Sequence, residues 1–147
     1  MSRCDLHLLS RYSSRPPEWI LRRIGVPESY STPEELYRKA RAAGMDFVTV
    51  TDRDSIRGAL SIADRPGAFI SAKVTAAFPD GARALILVWG LDEAQYREID
   101  EARHDIFALR DCLRDLGLAH GVAHPLHGED GRFDVEHFEK LLLLFDA

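Results

Sequence analysis

The sequence has few cysteines and no long apolar run. Its 147 residues include two cysteines, Cys4 and Cys112, which form no Cys-x-x-Cys pair, and this excludes a disulfide framework or a zinc ribbon. The longest apolar run is the six residues 84–89, whereas a bilayer-spanning helix needs about 20. Residues 1–7 lack the apolar core of a secretory signal. We therefore expect a cytoplasmic protein without a membrane partner.

Positive charge is not in excess either. The formal net charge is −5, with basic and acidic residues interspersed, which argues against a nucleic-acid partner. Glycine-rich phosphate loops of the GxxxxGK[ST] and GxGxxG types are absent. What the chain does have is 46% hydrophobic residues, enough for a core, and a length typical of one domain. We expect a single domain over residues 1–147.

Apolar, β-branched runs alternate with segments of helical periodicity. Thr32 and Glu35 have the spacing of a capping box, and Pro33 suits a first helical turn. Strands are expected at 3–7, 47–51, 68–77, 82–89 and 121–125, and helices at 16–24, 32–44, 56–63, 92–116 and 135–144. The turn at 79–81 predicts one hairpin. Otherwise the alternation predicts mostly parallel strands joined by helical crossovers.

Three polar residues lie at the carboxyl ends of expected strands. They are His7, Asp52 and His124. In folds built from parallel strands with helical crossovers, side chains at these ends line the functional site. The pattern therefore indicates a candidate site without any reference to a family.

Four segments, in this order, carry a family resemblance: 4–10 (CDLHLLS), 44–53 (GMDFVTVTDR), 72–75 (AKVT) and 123–125 (AHP). Together they resemble the PHP family (polymerase and histidinol phosphatase) over nearly the whole chain. The resemblance implies an α/β fold with a distorted, TIM-like (β/α)7 barrel of mostly parallel strands. It also implies two or three divalent metals at the strand ends and phosphoester hydrolysis. Such a barrel normally needs about 200 residues, so we expect a partial barrel that lacks its C-terminal part.

The chain departs from the family at the metal-ligand positions. Only His7 and His124 match ligands, whereas five matched positions carry non-ligand or cationic residues: Leu9, Ser14, Arg53, Lys73 and Leu85. Arg53 and Lys73 would put positive charge where a cation should lie. At about 4 Å and an effective dielectric near 20, each would repel a unit charge by about 4 kcal/mol, and a divalent ion by twice that. The family's metal cluster is therefore not expected.

These departures leave enzyme activity open. Our leading interpretation is an inactive structural or regulatory module, or a remnant of a longer protein, with no cofactor. The first alternative is a phosphoesterase with a reduced metal site, in which His7 and His124 hold zinc, manganese or iron. Asp5 and Asp52 would then orient the histidines from behind. Equally, the two aspartates could cap backbone N–H groups in turns.

The second alternative is a binding module for a phosphorylated small molecule or another anion. Arg53 and Lys73 would supply the cationic pocket, although an internal ion pair with Asp52 or Asp5 explains them as well. The apolar residues 141–145 predict self-association, or a missing C-terminal region that covers the open barrel. Four further histidines are expected at the surface: His104, His120, His127 and His137.

Overall fold

The computed structural model describes residues 1–13, 28–125 and 133–145, together with residues 23 and 26. The chain divides into two compact units, Met1–Ala72 and Lys73–Ala147. The helix expected at 16–24, apart from residue 23, lies outside the described residues, as do the candidate position Ser14 and His127. None of the described helices is long and apolar enough to cross a membrane.

In its described residues, the first unit contains two short parallel strands and two helices. They are β1 (Cys4–Asp5), α1 (Pro33–Ala42), β2 (Phe47–Val48) and α2 (Arg57–Leu60). β1 pairs with β2 in the register Cys4↔Phe47, and Val48 makes a parallel bridge to Ala68. A small core of Val50, Ala59 and Ile62 lies beside this sheet, packed against Leu36, Tyr37 and other half-buried apolar side chains.

Helix α1 begins at the capping box that the sequence predicts. The Thr32 side chain accepts a hydrogen bond from the Glu35 N–H at 3.2 Å, and the Glu35 carboxylate accepts from the Thr32 N–H at 2.9 Å. Two N–H groups that the helix leaves without partners are thereby satisfied. The prediction for this helix start is confirmed.

Over the part that the structure describes, the second unit contains most of a three-stranded sheet and three helices. The elements are β3 (Ser71–Ala77), β4 (Arg83–Trp89), α3 (Glu93–Ala102), α4 (Ile106–Asp115), β5 (Ala119–Ala123) and α5 (Val135–Leu144). The strand order is β3–β4–β5. A tight turn joins β3 to β4, in which the Phe78 N–H donates to the Ala82 carbonyl at 2.8 Å and Gly81 has a φ of +89°. The predicted hairpin is confirmed.

The expected partial (β/α)7 barrel with mostly parallel strands is wrong. The described strands form a two-stranded parallel sheet and a three-stranded antiparallel sheet, and they close no barrel. β4 and β5 are antiparallel, with Leu85 opposite Ala123 and Trp89 opposite Ala119. The chain therefore leaves β4 and enters β5 at the same end of the sheet, whereas a parallel crossover would return at the opposite end.

The physical reason lies in the helical connection between β4 and β5. Periodicity predicted one helix over 92–116, which would carry the chain about 35 Å in one direction. The structure instead ends α3 at Ala102 and begins α4 at Ile106. The Asp105 carboxylate caps α4 by accepting from the Phe107 N–H at 2.8 Å. Two contacting helices of ten residues each replace the single long one, and so β5 can return beside the end of β4.

Candidate functional site

Two loops that follow β1 and β2 form the candidate site in the first unit. The Thr51 N–H donates to the Leu8 carbonyl at 2.7 Å, and the Nδ1 of His7 lies 2.7 Å from the Thr51 Oγ1. Because β1 and β2 are parallel, both loops leave the same edge of the small sheet. The predicted site residues His7 and Asp52 therefore lie on neighbouring loops.

Asp52 is completely buried and accepts two short hydrogen bonds from one residue. Its Oδ1 accepts from the Ser10 N–H at 2.6 Å, and its Oδ2 accepts from the Ser10 Oγ–H at 2.7 Å. On α2, a Cβ added at Gly58 would lie 2.0 Å from the Asp52 Oδ2. The Asp52 carboxylate therefore lies so close to the α2 backbone that only glycine, which has no Cβ, fits at position 58.

Arg53 is engaged with a segment that precedes α1. Its side chain is 3% exposed and forms an ion pair with Glu28, with Nη2 and Oε1 3.9 Å apart. The Arg53 N–H donates to the Ser13 Oγ at 3.1 Å, and that hydroxyl donates in turn to the Glu28 carboxylate. We call Ser10, Ser13, Glu28, Asp52, Arg53 and Gly58 the Asp52 cluster.

The Asp52 cluster joins three chain segments by charge-assisted hydrogen bonds. Both oxygens of Asp52 are used by Ser10, and the Arg53 guanidinium is buried beside the Glu28 carboxylate. This donor set does not suit a divalent cation, because a buried guanidinium would repel it. Across the described parts of the chain, no group of three or more His, Cys, Asp or Glu side chains could hold a metal ion.

Two other sequence candidates of the first unit lie close to β1. The Asp5 Oδ1 accepts from the His7 N–H at 3.3 Å, which is the backbone contact of a turn aspartate. Leu9, where the resemblance to the PHP family implied a ligand position, is half-buried. Arg53 pairs with Glu28, which no local sequence pattern links to it.

The remaining candidates belong to the second unit. Lys73 lies on β3 and is 1% exposed. Leu85 packs in an apolar cluster with Leu87 and Ala123. His124 is exposed directly after β5 and has a φ of +51°. Proline favours extended backbone at the residue before it, so Pro125 predicts an extended His124. This prediction is wrong, because the chain bends at His124.

Several functional candidates were missed by sequence reasoning. Ser10 and Gly58 become partners of Asp52 only through the fold, and no local pattern links them to it. His137 was expected at the surface but is 5% exposed, so that expectation is wrong. The spacing of three residues from Asp134, that of a capping box, indicates the contact with Asp134 but not the burial.

Comparison with known proteins gives little family information. No family model matches this chain, and no curated protein matches it. A solved structure that resembles it is an amidohydrolase from Chromobacterium violaceum with bound sulfate and no metal. The two have 20% sequence identity and a TM-score of 0.42 over 97% of this chain and 50% of the other. The chain thus spans half the length of that protein, and we base no functional argument on this likeness.

Proposed function

We propose that this chain is a PHP-related module without phosphoesterase activity, in which segments resembling metal-binding motifs instead hold loops together. The observation that carries the proposal is the hydrogen bonding of Asp52. Both of its oxygens accept hydrogen bonds from Ser10, and the backbone of Gly58 packs closely against one of them. These bonds hold the carboxylate buried between two loops, which supports a structural role for Asp52.

The charge arrangement supports the same proposal. Arg53 stands where the family has a histidine ligand, and its guanidinium is buried against Glu28. Removing a buried cation's partner is costly, and so is bringing a second cation close to it. The pair therefore favours a stable loop arrangement over metal uptake.

The anion-binding alternative has less support. Arg53 is 4% exposed and Lys73 is 1% exposed. An incoming phosphate would have to reach guanidinium or ammonium groups that the fold covers. We therefore do not favour a pocket for phosphorylated molecules at these residues.

Metal analysis combined with an activity assay tests the proposal. Purified protein is incubated with zinc, manganese or iron(II), desalted, and assayed for bound metal and for hydrolysis of p-nitrophenyl phosphate. We expect well below one equivalent of metal and no hydrolysis above the metal-only blank. Retention of about one equivalent, released in His7→Ala and accompanied by hydrolysis, would contradict the proposal and favour the reduced metal site. Stabilisation by millimolar inorganic phosphate would favour the anion-binding alternative.

A further inference from the structure

A buried histidine in the second unit bridges two carboxylates. The Nε2 of His137 lies 2.7 Å from the Asp80 Oδ2, in the turn between β3 and β4. Its Nδ1 lies 2.6 Å from the Oδ1 of Asp134, the residue that caps α5. The ring itself is enclosed by aromatic side chains, with Phe78 at 4.8 Å in an edge contact and Phe133 stacked at 5.4 Å. We call Asp80, Asp134 and His137 the His137 bridge.

The two contacts of the bridge require two protons on the ring. A neutral imidazole has one N–H donor and one lone pair, whereas ionised carboxylates only accept. Both short contacts are therefore hydrogen bonds only when His137 is an imidazolium. The Asp134 backbone N–H is also placed to donate to the same Nδ1, 3.2 Å away, and that hydrogen bond requires a ring that has lost its Nδ1 proton.

We propose that the His137 bridge is a proton-operated latch. While the ring is charged, the bridge attaches the first turn of α5 to the β3–β4 turn. When a proton leaves the ring for solvent, this attachment loosens. The neutral ring places a lone pair against one of two carboxylates at 2.6 or 2.7 Å. That repulsion breaks one side of the bridge. The latch is a feature of the second unit and does not depend on the function proposed above.

The surrounding groups favour the charged ring. Burial lowers the pKa of His137, but the hydrogen bonds to Asp80 and Asp134 outweigh it, and the net pKa is raised. The pKa of Asp80 is lowered by the hydrogen bond from the Ala82 backbone and then by His137. The pKa of Asp134 is lowered by the His137 backbone N–H and then by the His137 ring.

Other charged groups around the bridge come from α5 itself. Lys140 forms an ion pair with Glu136 at 2.8 Å, and its charge also acts on the two aspartates. Helix α4 contributes the uncharged Phe107, which lines a small cavity with Asp80 and Lys140. The His137 ring, when it is positively charged, thus lies between two negatively charged carboxylates.

NMR titration of the histidine side chains and hydrogen exchange of the α5 amides test the latch. We expect His137 to titrate above the ordinary value of about 6.5. Above that midpoint, protection of the α5 amides, corrected for intrinsic exchange, should fall by up to about tenfold for each unit by which the pKa is raised. Asp80→Asn keeps the oxygen that accepts from Ala82 but replaces the one facing Nε2, so it should lower the His137 midpoint and flatten the change in protection.

The matched control is Asp92→Asn, which alters the cap of α3. Asp92 makes the same capping box with Gln95 but contacts no histidine, so its replacement should leave the His137 titration unchanged. A His137 midpoint at or below the ordinary value would overturn the latch. Equal pH dependence of α5 protection in the parent protein and in Asp80→Asn would also overturn the latch. This variant should fold, because the Asp80 side chain is 59% exposed.

Discussion

At the scale of single residues, the most consequential features are charged side chains removed from water. Burying an ionised group costs several kcal/mol unless hydrogen bonds and opposite charges compensate. Asp52 is compensated by two bonds from Ser10, and Arg53 by Glu28. The loops around them are therefore coupled, since moving one residue leaves another with unsatisfied hydrogen bonds.

Asp52→Asn tests this coupling. Asparagine keeps one accepting oxygen but replaces the other with an NH2 group, which removes the charge-assisted hydrogen bond from the Ser10 hydroxyl. We expect the free energy of unfolding to fall by about 1–3 kcal/mol, as measured by urea denaturation. The control Asp64→Asn changes a side chain that is 83% exposed, and it should stay within about 0.5 kcal/mol of the parent. Equal effects of the two changes would contradict the structural role of Asp52.

Gly58→Ala tests the close approach of α2 to Asp52. In an ordinary helix this change stabilises by roughly 0.5–1 kcal/mol, but here the new Cβ would lie 2.0 Å from the Asp52 Oδ2. We expect destabilisation of about 1–3 kcal/mol by overpacking. The double variant with Asp52→Ala should cost less than the sum of the two single variants, because the clashing oxygen is gone. Additive costs would count against the contact.

At the scale of elements, α5 shows how one helix combines a buried face with an exposed one. Its bounds, Val135–Leu144, are the ones that the sequence pattern predicted. Leu141 is 2% exposed, whereas Leu143 is 86% exposed. The leucine run therefore does not contribute uniformly to the core. Whether residues 141–145 mediate self-association stays a prediction, which concentration-dependent light scattering can test.

Leu141→Ala and Leu143→Ala form a matched pair within α5. The first removes a buried side chain and leaves a cavity, so we expect a loss of about 2–5 kcal/mol in the free energy of unfolding. The second removes an exposed side chain and should change it by less than about 0.5 kcal/mol. Chemical denaturation followed by circular dichroism measures both. A larger loss for Leu143→Ala would mean that Leu143 is covered in solution.

At the scale of the whole molecule, the titrating groups lower the stability of the protein at both alkaline and acid pH. The raised pKa of His137 means that its contribution is fully present below about pH 6.5 and is lost as pH rises through the raised value. The pKa values of Glu35, Asp80 and Asp134 are lowered, for Glu35 mainly by the hydrogen bond from the Thr32 backbone. Their contributions are present above about pH 4 and are lost as pH falls through the lowered values.

Thermal denaturation between pH 3 and pH 10 should therefore show a maximum between these limits. His137→Gln should weaken the decline on the alkaline side, because glutamine does not titrate. Glu35→Gln should weaken part of the decline on the acid side and leave the alkaline side unchanged, since Glu35 belongs to the cap of α1. If both variants change the decline on the same side of the maximum, the assignment of the alkaline decline to His137 and of part of the acid decline to Glu35 is wrong.

Local patterns were sufficient wherever a residue's structure depends on its near neighbours in the chain. The Thr32 capping box, the β3–β4 hairpin and the bounds of α5 follow from turn chemistry and periodicity within a few residues. The same patterns placed His7 and Asp52 at strand ends, where the structure has two joined loops.

Only the tertiary structure decided the strand directions and the partners of buried charges. The break at 103–105 within the expected long helix reverses the path between β4 and β5, and one aspartate cap is too weak a signal to predict it. The pairs Asp52–Ser10 and His137–Asp80 join residues 42 and 57 positions apart. Periodicity reports which side of an element is apolar, but it carries no information about which distant side chain meets a buried charge.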